Sequence, residues 1–265
     1  MRRVDESSDR HRLRATFDRV PDLYDAARPS YPETVFDDLV ALGHIPPGGR
    51  MLEIGCGTGQ ATLPLARRGF EIVCVELGAA LAEAARRKLA GFPHVRVVNA
   101  RFEEWEPGRE LDAVVAFTAF HWVDPDARFA KPARILRPGG ALAVVDTQHV
   151  RREGGDPFWL DVQEDYDAVV PHPDNRPSPL AHEVADRRAE MEATGLFRAV
   201  EVRQHLWDVT YTADEYVAVI ATYSPNLVLD DATRARLFER IHRRIERQGT
   251  VTKTYLATLS VATTL

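Results

Sequence analysis

The chain has 265 residues, enough for one large α/β domain or a domain with a cap, and its 45% hydrophobic and 28% charged residues are ordinary for a soluble globular protein. A formal net charge of −6 argues against general affinity for nucleic acid or an anionic membrane, and no apolar run approaches the length of a membrane span. Met1-Arg2-Arg3-Val4 has basic residues but no apolar core behind them, and the two cysteines, Cys56 and Cys74, make neither a disulfide framework nor a zinc set, so the expectation is a reduced, cytoplasmic protein.

In chain order, Leu13, Phe17, Val20 and Tyr24 stand near helical spacing, which predicts a helix over 10–27. Pro29 and Pro32 break it, and a second helix carries Val35, Phe36, Leu39 and Val40 to a stop at Gly43. Pro46-Pro47-Gly48-Gly49 is a turn into a strand at 51–55, and strands and helices then alternate. A helix at 60–68 is followed by a strand at 71–76, a helix at 79–90, strands at 95–99 and 111–117, a helix at 125–136 and a strand at 141–146. Near-continuous apolar strands joined by helices predict a parallel sheet covered on both faces. The rhythm breaks in 151–180, rich in Asp, Pro and aromatics, as a lid or cap would be. A helix at 181–194, a strand at 198–209, helices at Tyr211–Ala221 and Ala232–Gln248, and a strand at Thr252–Thr263 complete the chain. The late strands, without a crossover between them, suggest an antiparallel finish. The expected fold is thus a doubly wound, Rossmann-like α/β sheet of seven strands, mostly parallel with an antiparallel last strand. One domain spans 1–265, with helices in 10–45 and an insertion at 151–195 forming a cap.

The organising stretch is Met51-Leu52-Glu53-Ile54-Gly55-Cys56-Gly57-Thr58-Gly59-Gln60. An apolar strand runs into three alternate glycines, where the backbone turns sharply and a ligand can approach the main chain, and a helix opens behind them. Glu76 ends the next strand, placed to accept hydrogen bonds from ribose hydroxyls. A dinucleotide fingerprint wants its third glycine where Gln60 stands, so the spacing argues against a nicotinamide oxidoreductase.

Glu53-x-Gly55-x-Gly57-x-Gly59 with Glu76 resembles the class I S-adenosylmethionine-dependent methyltransferases. Tyr24-Asp25-x-x-Arg28-Pro29-x-Tyr31-Pro32, Arg101-Phe102-Glu103-Glu104-Trp105, Ala119-Phe120-His121-Trp122-Val123-Asp124 and Leu136-Arg137-Pro138-Gly139-Gly140 are similar to a subgroup that includes trans-aconitate methyltransferase-like proteins. The resemblance covers residues 15–263 and implies cofactor and reaction better than substrate. It implies that Gly55, Gly57 and Gly59 line the methionine and ribose portion of S-adenosylmethionine, with Glu53 in the same motif. Glu76 would hold the ribose and Leu77 pack on the adenine, with Ala100, Arg101 and Phe102 near that ring. Many relatives carry Asp near position 100; here Ala100 leaves a main-chain contact or Glu103 to substitute. Phe117, Thr118 and Ala119 would lie beside the methionine moiety, and Arg28 would pair the cofactor carboxylate while Tyr24 helps close the site.

His121, between Phe120 and Trp122 after the fourth strand, is the candidate catalytic residue, as a base that deprotonates a hydroxyl nucleophile; a structural role orienting the loop stands beside it. Phe17, Tyr31, His149, Phe158, Trp159 and Tyr223 are candidate substrate contacts, together with Tyr166 and Trp207. His121, Asp124 and Asp126 make no metal set, and the arginines of 234–247 alternate with Leu237, Ile241 and Ile245 as a solvated helix face. The expectation is methyl transfer to a small molecule, with oxygen (phenol, alcohol or carboxylate) first and nitrogen second, by a monomer or homodimer that binds neither nucleic acid nor membrane. A binding protein without methyl transfer, and an enzyme using the cofactor as an electrostatic aid, are the rivals that fold alone leaves open.

Overall fold

The computed structural model describes Asp25, residues 27–172 and residues 176–265. The helix expected over 10–27, with Phe17 and Tyr24, therefore lies outside the described residues except for Asp25 and Ala27, both helical. Helix α1 (Glu33–Leu42) precedes β1 (Arg50–Ile54), α2 (Thr62–Arg67), β2 (Glu71–Glu76), α3 (Ala79–Lys88), β3 (Val95–Asn99) and β4 (Leu111–Phe117). Helices α4 (Pro125–Arg128) and α5 (Ala130–Ile135) lead to β5 (Leu136–Val150). After α6 (Phe158–Asp161), α7 (Gln163–Val169) and α8 (Arg188–Ala193) come β6 (Phe197–Tyr211), α9 (Ala213–Ala221), α10 (Ser224–Leu227), α11 (Asp231–Gln248) and β7 (Val251–Thr264).

The strands form one seven-stranded sheet in the order β3-β2-β1-β4-β5-β7-β6. β1 through β5 pair in parallel, and β7 enters antiparallel between β5 and β6. The expected architecture holds, with the last strand inserted one place in from the edge. Side-chain alternation sorts the strands onto two apolar faces. Met51, Ala113, Val115, Ala143 and Val145 pack with Phe36 and Leu39 of α1 and Leu65 of α2. Leu52, Ile54, Val114, Val144 and Ala262 pack with Phe129, Ile135 and Met191 on the opposite side.

Three elements differ from expectation, each for a local reason. The helix over 125–136 breaks at Phe129, because Pro132 has no N–H to donate to Arg128 and its ring crowds that carbonyl. The helix over 181–194 reduces to a 3-10 turn, Ala181–Glu183, and the short α8; α8 begins where the Asp186 carboxylate accepts the Arg188 N–H at 2.8 Å. The strand over 141–146 extends to fifteen residues and absorbs the Arg137-Pro138-Gly139-Gly140 turn at a register shift beside Leu111 and Ala113. β5, β7 and β6 consequently outrun the parallel strands, and His149, Tyr255 and Trp207 stand side by side across them.

A third apolar cluster fills the far end of this extension. Leu237, Ile241 and Ile245 of α11 meet Tyr216, Val219 and Ile220 of α9 and Phe158, Trp159 and Val162 of the segment expected to be a cap. The basic face of α11 is only partly solvated. Asp165 of α7, 4% exposed, accepts Arg240 Nε at 3.1 Å and also binds Arg244. These bonds fasten α7 to α11. Asp165→Ala is expected to lower unfolding free energy by about 2 kcal/mol, below the full cost of breaking a buried pair because Arg240 is half in water. Urea denaturation of the variant checks this.

Candidate active site

The strand order reverses between β1 and β4, and the carboxyl ends of those strands open a cleft there. Gly55 has φ +65°, and a Cβ on it would stand 2.7 Å from the Cβ of Ala119, so the glycine turn packs directly on the segment after β4. Gly57 donates its N–H to Glu76 Oε2 at 2.9 Å, and Glu76 Oε1 accepts the Gly78 N–H at 2.8 Å. One carboxylate therefore ties the turn after β1 to the turn after β2. Asn99, ending β3, donates to the carbonyls of Glu76 and Leu77 at 3.0 and 2.8 Å and fixes the same corner. Gln60 reaches the carbonyls of Asp25 and Arg28, and Thr58 donates to Asp25 at 2.7 Å, so side chains of the glycine turn hold the chain that precedes α1.

A first cavity occupies this corner. Gly55, Gly57, Glu76, Leu77, Phe117, Thr118, Ala119, His121 and Arg28 line it, with Ile54, Leu81, Trp122 and Val123. Other residues expected at the cofactor lie beside it instead. Glu53 alternates away from Ile54 and is buried under α2, where Thr62 donates to its carboxyl at 2.7 Å. Gly59, at φ +84°, leaves room for Leu89. Ala100 donates its main-chain N–H to Glu76, Phe102 is buried in the second apolar face, and Arg101 pairs with Glu104 at 3.2 Å.

His121 stands in a 3-10 turn with its ring 4.6 Å from Trp122. Its outer edge is exposed; enclosure of the rest lowers its pKa, Arg187 and Arg128 add to this, and Asp146 opposes them. Asp146 is held in a fork by Arg187 at 2.6 and 3.0 Å.

A second cavity, of about 500 Å³, adjoins the first, sharing Thr118 and Arg28 with it. Thr118 has φ +53°, a costly conformation for a branched residue, and its hydroxyl lies 3.0 Å from that of Tyr31. Arg28 donates to the Thr222 hydroxyl at 2.8 Å and lies 4.5 Å over the Tyr223 ring. Of the residues expected at a substrate, Tyr31, His149, Trp159 and Tyr223 line this cavity, as do Tyr166 and Trp207. Phe158 is 1% exposed and packs into the third cluster, and Phe17 is outside the described residues. Burial, with Lys253 and Arg151, drives the pKa of His149 down to about 2, so its ring is neutral at any physiological pH. The sequence reading passed over Lys253, whose ammonium, 2% exposed, donates to the Tyr223 hydroxyl at 2.6 Å. A lysine in an apolar strand two residues before Tyr255 is the available signal.

Residues 51–140 match the family model described as "Methyltransferase domain". These residues form a methyltransferase domain. An uncharacterized methyltransferase of Mycobacterium tuberculosis is 33% identical over 137 residues, 51% of this chain and 54% of that protein, so the chain spans about half the length of the curated relatives it matches. A structure from Anaeromyxobacter dehalogenans, provisionally named a type II methyltransferase, superposes with TM-score 0.62 at 24% identity, covering 89% of this chain and 97% of that one. The 4+2 cyclase SpnF superposes with TM-score 0.54 at 18% identity, over 94% and 96% of the two chains, and at such identities the likeness is one of fold. The methyltransferase domain contributes every lining residue of the first cavity except Arg28, but only Gln60 and Thr118 of the second. No helix among the described residues is long and apolar enough to cross a membrane.

Glu53 makes the methyltransferase domain pH-sensitive. Burial raises its pKa to about 7, against lowering by the Thr62 hydrogen bond and with a further push from Glu76. The folded state thus favours the protonated acid, and this stability is present below the unfolded value near 4.5 and lost as pH rises through about 7. Over that window the loss amounts to roughly 3 kcal/mol. Thermal melts at pH 5 and pH 8 should show a fall for the native chain and a much smaller one for Glu53→Gln.

Proposed function

We propose that this chain transfers a methyl group from S-adenosylmethionine, held in the first cavity, to an oxygen of a small molecule held in the second. The observation that carries the reading is the meeting of the two cavities at Thr118 and Arg28. A donor and an acceptor so placed approach each other across the end of β4, and alignment of this kind supplies much of the catalysis of a displacement. The second cavity, at about 500 Å³ with aromatic walls, has the size and lining of a small-molecule site. The resemblance to trans-aconitate methyltransferase-like proteins supports the same reading through the Ala119–Asp124 string, which forms the turn beside the first cavity.

The first cavity fits the cofactor by the chemistry of its donor set. Each oxygen of Glu76 accepts one main-chain N–H, which orients the carboxylate at the cavity wall, and a carboxylate is an acceptor suited to ribose hydroxyls. Leu77 and Leu81 offer an apolar wall to an adenine, and Phe117, Thr118 and Ala119 line the side toward the second cavity. Arg28 has a guanidinium suited to a carboxylate. When bound, the cofactor supplies a methyl group on a positively charged sulfur. Around it the chain's residues orient the acceptor and exclude water. The segment from Phe158 through Val170, with α9 and α10, serves as the cap over the acceptor.

His121 is proposed to help deprotonate the acceptor. Its lowered pKa keeps the imidazole in the neutral, proton-accepting form near pH 7. It lines the first cavity and not the second, so it serves an oxygen that reaches toward Thr118. The rival reading, in which the cofactor assists a reaction without giving up its methyl, draws support from the fold shared with a cyclase.

Calorimetric titration with S-adenosylmethionine and S-adenosylhomocysteine should show saturable binding of both, weakened about tenfold or more by Glu76→Ala. Acceptors that gain the mass of one methyl group distinguish transfer from the rival reading. With such an acceptor, kcat/KM should rise with pH through the depressed His121 pKa and level off. His121→Ala should be slower and lose that limb, and an unchanged profile would assign His121 a structural role.

A further inference from the structure

The second cavity contains an ammonium of the chain's own. Lys253 Nζ lies 5.7 Å from the ring centre of Trp159, 5.3 Å from Tyr216, 4.9 Å from Tyr223 and 5.1 Å from Tyr255. Four aromatic rings around one cation form the kind of box that recognises ammonium ligands. Here the box is already filled from within. A ligand ammonium entering this cavity would lose the box and meet like charge from Lys253 and from Arg28, which lies 4.5 Å over the same Tyr223 ring.

The same arrangement leaves a charge to be balanced. A buried ammonium is costly unless paired, and ring faces offset only part of that cost. Among the described residues the charges acting on Lys253 are those of Tyr223 and Arg28, and neither is a carboxylate. Burial and Arg28 favour the neutral amine and Tyr223 favours the ammonium, and the balance sets Lys253 below the ordinary lysine value. Three polar atoms of the cavity lining point the same way. Thr147 Oγ1, His149 Nε2 and Trp207 Nε1 are buried and have no hydrogen-bond partner among the described residues. An indole N–H only donates, a hydroxyl can donate, and an ionised acid only accepts.

We propose that Lys253 is the specificity-determining residue of the second cavity, selecting acceptors that carry an ionised acid group beside the hydroxyl to be methylated and rejecting amines. The ionised group pairs with the Lys253 ammonium, and the Trp207 N–H and Thr147 hydroxyl are available to its oxygens. The inference rests on reading the second cavity as the acceptor site and adds to that reading the class of molecule it takes.

The test uses the full chain and three probes of one shape, benzoate, benzamide and benzylamine, titrated calorimetrically into protein saturated with S-adenosylhomocysteine and, separately, into protein without it. The native chain should bind benzoate about tenfold or more tighter than the other two. Lys253→Met, which keeps the length of the side chain without its charge, should lose that preference while binding S-adenosylhomocysteine as the native chain does. Equal affinities across the series, tighter binding of benzylamine, no detectable benzoate at millimolar concentration, or a preference surviving in Lys253→Met would each overturn the proposal. The series on the native chain decides the matter even if the variant fails to fold. Titration of S-adenosylhomocysteine alone separates this outcome from failure of the cofactor reading, because Lys253 does not line the first cavity.

Discussion

The bond from the Gly57 amide to the Glu76 carboxylate is the constraint on which the site depends. It joins the turns after two neighbouring parallel strands, and so fixes the mouth of the first cavity to the register of the sheet. The glycine turn cannot move outward without breaking it, and a side chain at Gly55 would collide with Ala119. Residues that carry no ligand chemistry hold the same geometry in place. Asn99 anchors the main chain around Glu76 and Leu77, and Thr58 and Gln60 bind the chain before α1. A turn restrained on three sides is pre-organised, and pre-organisation lowers the ordering cost that binding would otherwise carry.

The second cavity follows from a different device. β5, β7 and β6 continue beyond the parallel strands as an antiparallel trio, and their pleat brings alternate residues to one face. Lys253 and Tyr255 of β7 share that face with His149 of β5 and Trp207 of β6, whose ring stacks on Tyr255 at 5.3 Å. The near end of the extension borders the methyltransferase domain, and the far end is sealed by α6, α9 and α11. The division of labour is visible in the chain itself. The stretch shared with other methyltransferases builds the first cavity, and the stretch outside it builds nearly all of the second.

That division also governs what the sequence made legible. Seven strands, their mixed direction and the acid that ends β2 could be read because periodicity and a short motif are local. Glu53 belongs to the motif, but the period of two along β1 turns it under α2, away from the cavity that Ile54 lines. Phe158 packs into the third cluster, since an aromatic in such a segment is as useful for sealing a core as for lining a pocket. Lys253 escaped notice because its meaning is non-local. Four rings from three separate parts of the chain give it a place, and no spacing along the sequence announces their convergence.

Burial also redistributes acid–base character around the second cavity in a way that residue type alone would not suggest. Histidine is the usual titrating group near neutrality, yet His149, packed 4.0 Å from the Trp159 ring with Ser178 at its Nδ1, is held neutral down to about pH 2. Tyr223 is also lowered, but in a phenol that favours the charged form. Burial pushes its phenol up, but Lys253 and Arg28 together outweigh burial and bring it below the ordinary phenol value. The two neighbouring phenols, Tyr216 and Tyr255, lack that direct hydrogen bond from an ammonium and are raised by burial instead. One lysine therefore sets apart one phenol among three, and the polarity of the cavity turns on a side chain that composition would have assigned to the surface.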